Sequence, residues 1–60
     1  MIQSIPSDPV ILLSFLNTRL RDNYSSLEAL CDDLDVDRES IEDKMNAIGY
    51  AYDPEQNKFV

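Results

Sequence analysis

The chain has 60 residues and a formal net charge of −7, with one cysteine, one glycine and no histidine. Its 43% hydrophobic content is too high for a disordered segment, but the chain is near the smallest size at which one core folds without disulfides or metal. The negative charge disfavours binding to phosphate groups or anionic lipids. A single cysteine without histidine rules out an intramolecular disulfide and the usual zinc cluster, so we expect no cofactor.

The first predicted element is a helix that follows an extended lead-in over residues 1–7. Asp8 has the position of an N-cap, and Pro9 suits the first helical position. We expect this helix to end at Asp22 or Tyr24. Its core face is formed by apolar residues at helical spacing: Leu12, Leu13, Leu16, Leu20 and Tyr24.

Two apolar residues of this helix, Ile11 and Phe15, lie one turn apart and outside the core face. One interpretation is that residues 1–5 or the aromatic residues of the C-terminal segment cover them. The other is that they form an exposed patch, which on a soluble protein indicates a partner surface. A symmetric dimer through the first helix is the simplest such arrangement.

The segment over residues 25–48 has the apolar spacing of a helix-turn-helix. Ser25 and Glu28 have the spacing of a capping box, in which the Ser25 hydroxyl accepts from the Glu28 amide. Asp35 is at a turn position that favours left-handed backbone, which aspartate tolerates well. Asp37 is expected to cap the third helix. The second helix is expected to bury Leu27, Leu30, Cys31 and Leu34. The apolar spacing continues with Val36, Ile41, Met45 and Ile48.

Residues 50–60 have the pattern of a small hairpin. Tyr52 and Phe59 flank a turn that contains Asp-Pro, and Asn57 is suited to a positive φ. A two-stranded hairpin is not stable alone, so it must pack on the helices. The predicted fold is one mostly α domain, with three helices over residues 8–48 in helix-turn-helix geometry and a short C-terminal β-hairpin, which is the outline of a minimal winged helix.

The net charge of the helix-turn-helix segment is opposite in sign to that of a typical nucleic-acid-binding surface. Eight acidic and two basic residues give it −6 of the net charge of −7. Because DNA affinity depends mainly on phosphate contacts, a winged-helix-like nucleic-acid binder is only the alternative function. It would use Arg38, Lys44 and Asn46 on the third helix. The preferred interpretation is an acidic face that attracts a basic protein, formed by Asp32, Asp33, Glu39, Glu42 and Asp43.

No residue pattern in the chain is typical of an enzyme. Cys31 has no base beside it and occupies a core position, where a thiol acts as a small apolar group. The alternating acids of residues 33–39 have the spacing of a calcium loop. However, Arg38 and Lys44 stand where that loop needs its glycine and its bidentate acid. We therefore expect neither catalysis nor a metal site.

Four stretches of the chain resemble one protein family: residues 8–9, 16–22, 25–37 and 48–54. It is a family of short bacterial proteins, the DUF4250 family, which is a domain of unknown function. The resemblance covers nearly the whole chain and implies a free-standing bacterial protein, without assigning a catalytic or binding residue. Residues 25–45 are also similar to the helix-turn-helix of transcription regulators, with Cys31 in place of the common alanine and Asp35 in place of the turn glycine.

These observations favour a non-catalytic protein-interaction module that binds a basic protein or forms a homodimer. Ile11 and Phe15 would be its apolar anchors. The N-terminal stretch lacks the basic residues of a signal peptide, and the apolar run after Pro9 is too short to span a bilayer. We therefore expect a cytoplasmic protein that does not bind membranes.

Overall fold

A computed structural model describes residues 5–60 of the protein, so residues 1–4 of the predicted lead-in lie outside the described residues. The elements are α1 (Pro9–Asp22), α2 (Leu27–Leu34), α3 (Arg38–Ala47), β1 (Tyr52–Asp53) and β2 (Lys58–Phe59). The two strands form an antiparallel hairpin in which Tyr52 is opposite Phe59. The prediction of a mostly helical chain with three helices and a short C-terminal hairpin is confirmed.

Helix α1 begins as its sequence predicts. Asp8 is the N-cap, and its carboxylate accepts a hydrogen bond from the Val10 amide at 2.9 Å. The helix ends at Asp22, the earlier of the two predicted ends. Of the predicted core face, Leu13 and Tyr24 are only half-buried, while the remaining three leucines are almost fully buried.

The N-terminus of α2 differs from the predicted capping box. The N-cap is Ser26, whose hydroxyl accepts from the Ala29 amide at 3.1 Å, and Ser25 does not have this role. Either serine is chemically able to cap a helix, so the local sequence leaves the choice open. The start of α2 at Leu27 is also consistent with a contact to a residue that is distant in sequence. The Leu27 amide donates a hydrogen bond to the Tyr52 hydroxyl at 3.2 Å.

The connection between α2 and α3 has the predicted backbone. Asp35 is in the left-handed region at φ 57° and ψ 48°, and the Val36 amide returns to the Cys31 carbonyl at 3.0 Å. Asp37 caps α3 by accepting from the Ser40 amide at 3.3 Å. Beyond α3, Gly49 has φ 84°, a conformation that glycine adopts at helix ends without strain.

One apolar core joins the three helices to the hairpin. The hairpin contributes Phe59, whose ring centroid is 5.6 Å from that of Tyr52. Leu34, which the sequence predicts to be buried, is only half-buried and packs around this core, as do Ile5, Val36 and Ile48. Its buried members are Leu12, Leu16, Leu20, Leu27, Leu30, Cys31, Ile41, Met45 and Phe59.

Asn17 of α1 attaches the hairpin to the helices. Its side-chain oxygen accepts from the Phe59 amide at 2.8 Å, and its side-chain nitrogen donates to the Phe59 carbonyl at 3.2 Å. The amide side chain thus pairs with the outer edge of β2 as a neighbouring strand would. This pair of bonds holds β2 against α1.

Asn57 makes a second attachment, at the end of α1. Its side-chain nitrogen donates to the carbonyls of Leu20 and Tyr24 at 3.0 and 2.9 Å. Its side-chain oxygen accepts from the Tyr52 hydroxyl at 2.7 Å, and that hydroxyl accepts from the Leu27 amide. The backbone of Asn57 has the positive φ that the sequence predicts, at 55°. One side chain therefore joins the hairpin to α1, and through Tyr52 to α2.

Candidate interaction surfaces

The predicted apolar pair lies on one flank of α1, which we call the Ile11 flank and define by Ile11, Phe15 and Arg19. Ile11 is 58% exposed, whereas Phe15 is half-buried and packs partly against the core. The Arg19 guanidinium lies 5.1 Å from the centre of the Phe15 ring, a distance typical of a cation–π contact. The hairpin does not cover this flank, because Asn17, which binds β2, lies about 120° around the helix from Ile11. The flank offers one exposed aliphatic side chain beside a partly shielded aromatic ring.

The acidic face of α2 and α3 is open to solvent. Asp32, Asp33, Glu39 and Asp43 are exposed, and Glu42 is half-buried. Within residues 5–60, the only ion pair that involves α2 or α3 joins Glu42 to Arg38 at 3.6 Å. The last turn of α2 contains no basic residue. No positive side chain therefore offsets its carboxylates or the partial negative charge at the C-terminal end of the helix. This surface therefore carries a strong, largely uncompensated negative charge.

One of these carboxylates is connected to α1. The Tyr24 hydroxyl donates to the Asp33 carboxylate at 2.5 Å. This hydrogen bond raises the pKa of Tyr24 above its usual value, with smaller contributions from desolvation and from the negative charge of Asp33. The bond joins the end of α1 to the last turn of α2.

The residues predicted for the alternative nucleic-acid function do not share one face. Arg38 and Asn46 lie two turns apart on one side of α3, with Glu42 between them. Lys44 lies about 160° around the helix from Asn46. Arg38 is also paired with Glu42. Any surface that presents Arg38 and Asn46 to a phosphate backbone therefore also presents a carboxylate.

A surface groove between α1 and the hairpin is a feature that the sequence does not indicate. We call it the α1–hairpin groove; its volume is about 1040 Å³. It is lined by the apolar side chains of Val10, Leu13 and Leu20, by several uncharged polar side chains, and by Arg21 and Lys58. No acidic residue lines it among the residues that the structure describes. Arg21 and Lys58 are far apart in sequence and come together because β2 packs on α1, so no local pattern indicates the groove.

Cys31 is buried at the interface of the helices. Desolvation raises the pKa of its thiol above the usual value, which lowers the fraction of the reactive thiolate. Within residues 5–60, no three histidine, cysteine, aspartate or glutamate side chains are close enough together to hold a metal ion. In the same range, no helix is both long and apolar enough to cross a membrane.

A model of the DUF4250 family, described as a domain of unknown function, matches residues 6–59. The chain belongs to the DUF4250 family. No curated protein and no solved structure matches it. The matched residues include all three helices and both strands of this DUF4250 protein. The Ile11 flank, the acidic face and the α1–hairpin groove are thus all built from the part of the chain that the family model covers.

Proposed function

We propose that this DUF4250 protein is a non-catalytic protein-interaction domain, whose partner is a basic protein or a second copy of the chain. The observation that carries this proposal is the exposure of Ile11, 58%, beside Phe15 on a flank of α1 that the hairpin leaves open. An aliphatic side chain next to a partly exposed ring gains free energy when a partner covers both. The Ile11 flank would be the apolar anchor of the contact.

The acidic face would steer a basic partner toward the domain. Complementary charge mainly raises association rates and selects among partners, while buried apolar contacts keep the complex together. The exposed Asp32, Asp33, Glu39 and Asp43 suit the first role, and Ile11 suits the second. The same charges oppose phosphate binding, which makes DNA or RNA the less favoured partner.

Self-association is tested by light scattering over a range of protein concentrations at moderate salt. If the partner is a second copy, the mass should rise toward twice that of the monomer, and Ile11→Asp should prevent this rise. Val10→Asp is the matched control, because Val10 is 66% exposed, lies about 100° around α1 from Ile11 and receives the same charge. An equal effect of both substitutions would show that charge alone, and not the Ile11 flank, controls the dimer.

A protein that stays monomeric at all concentrations would exclude the second copy and leave a basic protein as the partner. The nucleic-acid alternative is tested in parallel with a labelled DNA duplex. Binding of the duplex that is abolished by Arg38→Glu and unchanged by Ile11→Asp would overturn the proposal.

A further inference from the structure

We draw no further inference here: the strongest candidate, the α1–hairpin groove, has its Arg21 already paired with the Asp22 carboxylate and its Lys58 opposite a carboxylate of the hairpin, and nothing in the structure shows what covers it.

Discussion

At the scale of single residues, Asn57 connects the hairpin to the helices. Its side chain forms three hydrogen bonds, to the carbonyls of Leu20 and Tyr24 and to the Tyr52 hydroxyl, while its backbone has a positive φ. Asparagine combines an amide that both donates and accepts with good tolerance of left-handed backbone. Few other residues can meet both requirements at this position.

We predict that Asn57→Asp lowers the free energy of unfolding by about 2–4 kcal/mol, because it removes two donors and places a carboxylate against two carbonyls. Urea unfolding followed by circular dichroism measures the change. Asn46→Asp is the control, since Asn46 is exposed at the end of α3 and the same substitution there should cost less than about 1 kcal/mol. Equal losses in the two variants would show that the Asn57 contacts contribute little.

Local signals predict some residues of this fold well, and distant contacts decide others. Asp8, Asp35 and Asp37 could be placed from the sequence, because a cap or a left-handed turn depends on neighbouring residues alone. The choice between Ser25 and Ser26 could not be made in this way. The role of Asn17 could not be predicted from its neighbours either, because its hydrogen-bond partner Phe59 is 42 residues away in the sequence. The α1–hairpin groove was missed for the same reason, since it depends on the packing of β2 against α1.

At the scale of elements, the helices meet through specific polar contacts as well as through the core. The bond from Tyr24 to Asp33 joins α1 to α2. Because the pKa of Tyr24 is raised in the folded state, this contact stabilises the fold at pH values below the usual tyrosine pKa. The stabilisation is lost as the pH rises through the raised pKa of the folded state.

We therefore predict that the stability difference between the natural protein and Tyr24→Phe is constant near neutral pH and shrinks above about pH 10. Urea unfolding at a series of pH values measures this difference. Asp33→Asn should lower the pKa of Tyr24 toward its usual value, which ring-carbon NMR shifts can follow. If the pKa of Tyr24 is the same in the natural protein and in Asp33→Asn, the hydrogen bond from Tyr24 to Asp33 is contradicted.

At the scale of the whole molecule, the charge is unevenly distributed. Residues 25–48 carry −6 of the net −7, while the α1–hairpin groove is lined by basic and uncharged residues. The composition predicts the acidic character, and the spacing of α1 predicts the position of Ile11 and Phe15. The degree of exposure was not predictable, because the shielding of Phe15 by Arg19 and by the core depends on the packed structure.

The central claim, that the Ile11 flank anchors a basic partner, is tested most directly with one binding measurement. A labelled amphipathic peptide of lysines and leucines is titrated with the natural protein, Ile11→Asp and Val10→Asp. Both substitutions make the protein more acidic, so attraction between charges alone would strengthen binding in both. We predict that Ile11→Asp weakens binding despite its added charge, while Val10→Asp binds as well as the natural protein or better. Tighter binding by Ile11→Asp would contradict the claim and leave only a nonspecific attraction between opposite charges.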